Sequence, residues 1–213
     1  RWRAPEPLPP WTGVADADRY GFVCPQPVDP RIPIDLGAPQ DEDCLTVNVW
    51  ASSQTVAGDR KPVMVWIHGG AYILGSASQP LYDGRALAGG GDVVVVSVNY
   101  RLGALGFLDL SEFDGPRRRF DSNLGLRDVI SALHWVRENI AAFGGDPNRV
   151  TLFGESAGAG IITTLLTSPA AGGLFAGAIA QSSPATSVYD ISRARGITRQ
   201  VLARLGLSAS DVD

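Results

Sequence analysis

The stretch GDVVVVSVNY, Gly91–Tyr100, places an almost continuous β-branched run between a glycine-rich entry and a polar exit. A strand with one wet face alternates apolar and polar residues, whereas a strand without alternation has both faces covered. Covering both faces requires a layer on each side of the sheet, and in parallel sheets helices supply those layers. This one run favours an α/β fold over an all-β sandwich or a helical bundle.

The rest of the chain agrees. LTVNVWA (Leu45–Ala51) alternates like a strand, and KPVMVWIH (Lys61–His68) reads as a buried strand running into Gly69-Gly70. Between Leu124 and Phe143 the apolar Leu126, Ile130, Leu133, Val136 and Ile140 recur at helical spacing, and GGDP (Gly144–Pro147) supplies a stop. Val150–Phe153 predicts another strand, Ala157–Thr167 a helix closed by Ser168-Pro169, Ala176–Ser182 a strand and Ile191–Leu205 a last helix. The proline-rich residues 1–44 lack periodicity and predict a wrapping, loop-rich segment. With 213 residues and 45% hydrophobic content, one substantial core is within reach. A net charge of −4 and a pI near 5.2 give no electrostatic reason to expect nucleic acid or an anionic membrane as partner. No apolar run approaches the length of a membrane span.

The chemistry gathers around VTLFGESAGAGIITTLL, Val150–Leu166. A strand, a Gly-Glu-Ser-Ala-Gly turn and a helix expose a serine hydroxyl, with Gly154 and Gly158 removing side chains that would meet neighbouring backbone. The helix beginning at Ala157 aims free N–H groups and the positive end of its dipole at the reacting oxygen. Ser156 is thus the candidate nucleophile, in an elbow built from Gly154, Glu155 and Gly158. WIHGGAY, Trp66–Tyr72, follows a buried strand with adjacent glycines, which lets backbone N–H groups turn into a cleft as an oxyanion hole requires. Cys24 and Cys44 admit two readings, separate buried thiols or a bridge worth about 3 kcal/mol by loop closure. No Cys-x-x-Cys and no Cys/His cluster occurs, so no metal is expected.

Together, RWRAPEPLPPWTG, EDCLTVNVW, VWIHGGAY, VVVVSVNYRLGALGFL, NLGLRDVISALHWVRENIAAFGGDP, VTLFGESAGA and GLFAGAIAQS resemble the type-B carboxylesterase (cholinesterase-like) family of α/β-hydrolases. The resemblance covers nearly the whole chain. It implies an α/β-hydrolase fold, with a mostly parallel central sheet flanked by helices and incomplete at both ends, as one domain over 1–213. It implies Ser156 as nucleophile and the N–H groups of Gly70, Ala71 and Ala157 as oxyanion donors. It further implies a Cys24–Cys44 disulfide, hence a secreted or periplasmic setting with the cytoplasm left open, and ion pairs Arg1–Glu42 and Arg101–Asp128. A small-molecule ester is the implied substrate, without metal or organic cofactor; a non-catalytic binding or adhesion protein on the same scaffold is the alternative. The chain departs from the family in having Ala71 as the third residue of the Gly-Gly-Gly motif and Val129 where a glutamine follows Asp128. No tryptophan lies between Cys24 and Cys44, so a stacking face for a quaternary ammonium is not expected there.

A serine nucleophile needs a base. The two histidines, His68 and His134, both precede Ser156, whereas α/β-hydrolases supply Ser, then acid, then His. The resemblance implies that His68 packs structurally, and His134 lies within the long helix. Asp190, Asp211 and Asp213, the carboxylates after Ser156, read as surface residues. The expectation is a nucleophile-bearing N-terminal part of a longer esterase, with acid and histidine elsewhere.

Overall fold

The computed structural model describes residues 1–213 apart from 29, 32, 117, 185–187, 209–210 and 212–213. Five strands, β1 (Val47–Trp50), β2 (Lys61–Ile67), β3 (Val94–Val98), β4 (Gly145–Glu155) and β5 (Gly177–Gln181), form one sheet in the order β1-β3-β2-β4-β5. The valine run becomes β3, and all five of its residues are buried. It pairs parallel with β2 and antiparallel with β1; the β2–β4 and β4–β5 pairings are parallel. The sheet is thus mostly parallel, as expected, with one antiparallel edge.

Register sorts the side chains into two faces. Val94, Val63 and Val150 share a row, as do Val96, Val65 and Leu152, and then Val98, Ile67 and Gly154. These rows form the core with Val129, Leu133 and Val136 of helix α3 (Leu124–Asn139) and Ile161, Ile162 and Leu165 of helix α4 (Ala157–Leu165). Each fully buried valine or leucine contributes about 1.5–3 kcal/mol of transfer free energy. On the opposite face Trp66 packs at a tilt against Tyr82 and Phe153, with ring centroids 4.9 Å apart in both pairs. Helix α1 (Arg85–Gly90) packs there against β3, its leading Gly84 lying over Trp50 and Val95. Ile179, in register with Phe153, is 44% exposed on the edge strand β5.

Boundaries differ from the sequence expectation in two informative places. Strand β4 begins at Gly145, because Lys61 pairs with Gly145 before an irregularity at Lys61/Val63 and carries the ladder through Asp146-Pro147. Helices α1 and α2 (Gly103–Phe107) are additions that periodicity did not announce; both are short and glycine-containing. The final helix, α5 (Ile191–Arg204), is capped by Asp190, whose carboxylate accepts the Arg193 N–H at 2.8 Å. Thr198 donates to the Asp109 carbonyl at 2.7 Å and Arg199 pairs with Glu112, which docks α5 onto the segment after α2.

Both implied ion pairs are present. Arg1 Nε donates to Glu42 at 2.7 Å across an exposed surface. Arg101 and Asp128 form a buried fork, Nε to Oδ2 at 2.7 Å and Nη2 to Oδ1 at 2.6 Å, and the Arg101 backbone N–H also donates to Oδ2 at 3.0 Å. The Asp128 side chain is 1% exposed and that of Arg101 14%. Two parallel charge-assisted bonds on a desolvated pair tie the loop after β3 to α3. The implied Cys24–Cys44 disulfide is not formed: both are buried free thiols, 4.1 Å apart. A bonded pair requires sulfurs about 2.05 Å apart. Here Cys24 Sγ instead accepts the Leu102 N–H at 3.1 Å, and the mutual influence of the adjacent thiols lowers the Cys24 pKa and raises that of Cys44. Among the described residues no helix is long and apolar enough to cross a membrane.

Removing one partner of the buried pair leaves a desolvated charge without compensation, at a cost of about 3–5 kcal/mol. Asp128→Asn is therefore expected to lower the urea midpoint of unfolding sharply, while Glu42→Gln at the exposed pair leaves it nearly unchanged. Equal midpoints for the two variants would remove the buried fork from its structural role.

Candidate active site

Ser156 stands between β4 and α4 with φ 53° and ψ −119°, a backbone conformation that L-residues rarely adopt. Its N–H donates to the Gln181 carbonyl at the end of β5, 2.9 Å away, and its carbonyl accepts the Gly160 N–H at 2.9 Å as the helix begins. The strained turn is therefore held from both sides. A methyl group at Gly158 would lie 2.0 Å from the Ile67 carbonyl oxygen, and one at Gly154 2.7 Å from the same atom. Both elbow glycines are needed because the C-terminal end of β2 occupies the space where a side chain would go. Glu155 is exposed.

The segment leaving β2 turns immediately. Gly70, Ala71 and Tyr72 have φ of 110°, 53° and 63°, and the Gly70 carbonyl accepts the N–H groups of Ile73 and Leu74, both at 3.0 Å. In this turn the N–H groups of Gly70 and Ala71 donate to no described residue. Ala157, first residue of α4, likewise has a helix-terminal N–H without an intrahelical acceptor. A methyl at Gly69 would sit 3.3 Å from Ser156 Cβ, so this loop lies directly against the serine. The sequence-predicted Ser156, Gly70, Ala71 and Ala157 are thus brought together.

His68 behaves as the resemblance implied. It is 1% exposed, its ring stacks on Tyr100 with centroids 4.5 Å apart, and Nδ1 donates to the Gly69 carbonyl at 2.8 Å. Burial pushes its pKa down to about 4, opposed by that hydrogen bond. The Tyr100 hydroxyl donates to the His68 carbonyl at 2.8 Å, and burial raises its own pKa. His134 is exposed on α3 and holds no contact with the serine. Asp190 caps α5 and the exposed Asp211 accepts from Ser208, whose hydroxyl lowers its pKa; Asp213 lies outside the described residues. The Ser156 hydroxyl bonds to no described residue, so among them no base is in place. No group of three or more metal-ligating side chains is found among the described residues.

Three supporting residues escaped sequence reasoning. Gln26 crosslinks the wrapping segment to the loop, accepting the Gly75 N–H at 2.7 Å and donating to the Gly75 and Cys24 carbonyls at 2.9 and 3.0 Å. The Gln181 carbonyl fixes Ser156, and the Tyr72 carbonyl accepts the Gly103 N–H at 2.7 Å. Two of these act through backbone atoms and leave no side-chain signature; the third joins segments far apart in sequence.

The sequence matches the profile of the carboxylesterase family over residues 1–213. The chain belongs to the carboxylesterase family. Among its curated relatives, the para-nitrobenzyl esterase of Bacillus subtilis (strain 168) is 50% identical over 214 residues, covering 100% of this chain and 42% of the relative. The acetylcholinesterase of Gallus gallus is 47% identical over 217 residues, covering 97% of this chain and 27% of the relative. The solved structure of a thermophilic pNB esterase superposes with a TM-score of 0.90 at 50% identity, over 100% of this chain and 43% of that one. The chain therefore spans well under half the length of the carboxylesterases it matches, and its sheet and helices are those of an α/β-hydrolase.

The His68 pKa lies below its unfolded value near 6.5, so the unfolded chain binds the proton more readily. The stabilising effect of a neutral His68 is complete above pH 6.5 and is lost as pH falls towards 4, at up to about 1.4 kcal/mol per pH unit. Denaturant titrations across this window should show a loss of about 3 kcal/mol that His68→Gln removes. A profile unchanged by that variant would show that another group governs acid sensitivity.

Proposed function

We propose that the protein containing these residues is a serine carboxylic-ester hydrolase with Ser156 as its nucleophile. The observation that carries this is the strained Ser156 turn lying against a loop whose Gly70 and Ala71 N–H groups have no acceptor among the described residues. Ser156 Oγ adds to the ester carbonyl carbon as its proton passes to a general base supplied from outside these 213 residues. The carbonyl oxygen takes up the negative charge and receives hydrogen bonds from Gly70, Ala71 and Ala157. Collapse of the tetrahedral species breaks the carbon–oxygen bond, and the alcohol leaves with the returned proton. Water then hydrolyses the acyl-enzyme by the same steps. The helix dipole of α4 favours the same developing charge.

An alanine N–H donates as well as a glycine one, so Ala71 is compatible with this role. Its φ of 53° is the cost of aiming that N–H. The chemistry calls on no metal or organic cofactor, and the partner is a small ester. In an oxidising compartment, secreted or periplasmic, the neighbouring thiols of Cys24 and Cys44 are the pair that would close.

In the full-length esterase, Ser156→Ala is expected to lower hydrolysis of short-chain p-nitrophenyl esters by at least about 10⁴-fold while leaving thermal unfolding intact. Turnover near wild type in a folded variant would remove Ser156 from the mechanism. For the 213-residue chain alone, loss of the base costs about 10⁶-fold, and the exposed edge at β5 invites association. Monodisperse chain should therefore label at Ser156 with a fluorophosphonate far more slowly than the full-length enzyme. Rapid stoichiometric labelling would show that a base is already present.

A further inference from the structure

Tyr72, immediately after the candidate oxyanion donor Ala71, is wedged among three segments that build the site. Its backbone is in the left-handed region at φ 63°, and its carbonyl is fixed by the Gly103 N–H at 2.7 Å. Its ring meets Phe107 edge-on at 5.1 Å. The ring then runs to α4, where its hydroxyl comes to rest over Gly160. A methyl group at Gly160 would stand 2.2 Å from the Tyr72 hydroxyl oxygen and 3.2 Å from Pro184 Cγ. No real carbon–oxygen contact is that short, so the hydroxyl and a Cβ at position 160 exclude each other.

Tyr72 is half-buried and its ring is braced edge-on by Phe107, so backing away from Gly160 either breaks that contact or moves the backbone of Tyr72. The peptide preceding Tyr72 carries the Ala71 carbonyl, and the Ala71 N–H lies one peptide further back. Gly160 lies one helical turn after Ser156, and its own N–H closes the first turn on the Ser156 carbonyl at 2.9 Å. The distance between the oxyanion loop and the nucleophile's helix is therefore set where the tyrosine hydroxyl meets the bare Cα of Gly160.

We propose that Tyr72 and Gly160 form a size-matched pair in which the tyrosine is a positioning residue for the oxyanion loop and the glycine is its socket. This rests on the esterase reading above and deepens it. The pair makes no contact with the reacting atoms; it fixes the Ala71 N–H relative to Ser156. Because the exclusion involves one oxygen and one methyl, either can be present alone or neither, but both together displace the loop.

The test is a double-mutant cycle in the full-length esterase with p-nitrophenyl acetate as substrate. Gly160→Ala is expected to lower kcat by about 10- to 100-fold, less than the roughly 10²–10³ for outright loss of an oxyanion donor because the donor is displaced and not removed, with KM changed less than threefold. Tyr72→Phe, which leaves a small hollow over Gly160, should lower kcat two- to fivefold. The double variant Gly160→Ala/Tyr72→Phe should return to the level of Tyr72→Phe or above, since the methyl then fills the hollow. Thermal unfolding is followed on the same four proteins. If Gly160→Ala does not fold, recovery of a folded, active double variant supports the pair equally. A double variant as impaired as Gly160→Ala, in activity and in unfolding temperature, overturns it, as does a Gly160→Ala enzyme with wild-type kcat. Activity surviving Ser156→Ala would instead defeat the esterase mechanism, and the unfolding temperatures would still report on the Tyr72–Gly160 exclusion.

Discussion

The site depends on one close approach of backbone to backbone. The Ile67 carbonyl at the end of β2 occupies space beside both Gly154 and Gly158, so the exits of β2 and β4 meet with no side chain between them. From β2 comes the loop whose Gly70 and Ala71 N–H groups have no acceptor among the described residues, and from β4 comes the serine. Parallel pairing in register from Val63–Val150 to Ile67–Gly154 brings the two exits to the same end of the sheet. Ligands in open α/β sheets bind at that carboxyl end because the connecting loops are there. What this chain adds is contact tight enough that neither exit can shift without the other.

Such an arrangement is strained, and the strain is balanced elsewhere. Ala71, Tyr72 and Ser156 are non-glycine residues at positive φ, at a cost on the order of 1–3 kcal/mol each. The anchors are residues remote from the chemistry: Gly103 on the Tyr72 carbonyl, Tyr100 on the His68 carbonyl, Gln26 on Gly75 and Gln181 on Ser156. The buried Arg101–Asp128 fork then holds the chain between Tyr100 and Gly103 against α3. The strained geometry at three residues is maintained by hydrogen bonds from four others.

Much of this was legible because it follows from side-chain chemistry. A β-branched valine run without alternation favours a doubly covered strand, and β3 is fully buried. Glycines flanking a serine between strand and helix signalled the close approach that Gly154 and Gly158 make. The unread parts are those in which side chains are silent. The antiparallel β1 has the same alternation as a parallel edge, and the Gln181 carbonyl acts whatever its side chain. The segments RALAGG and GALGF are too short and too rich in glycine to show a helical period. The cysteines misled for a related reason: adjacency is in the fold, but whether adjacent sulfurs bond is a matter of redox state and distance.

The bond from the Ser156 N–H to the Gln181 carbonyl also carries a consequence for synthesis. Strands β2, β3 and β4 can assemble as soon as residue 155 has left the ribosome, but the serine turn is not fixed until β5 arrives. At about 5–20 residues per second, the stretch from Ser156 to Gln181 takes on the order of 1–5 s to make. For that interval the nascent chain has four of the five described strands and an unset serine turn, so Ser156 takes its strained shape only after the strands that carry it are in place.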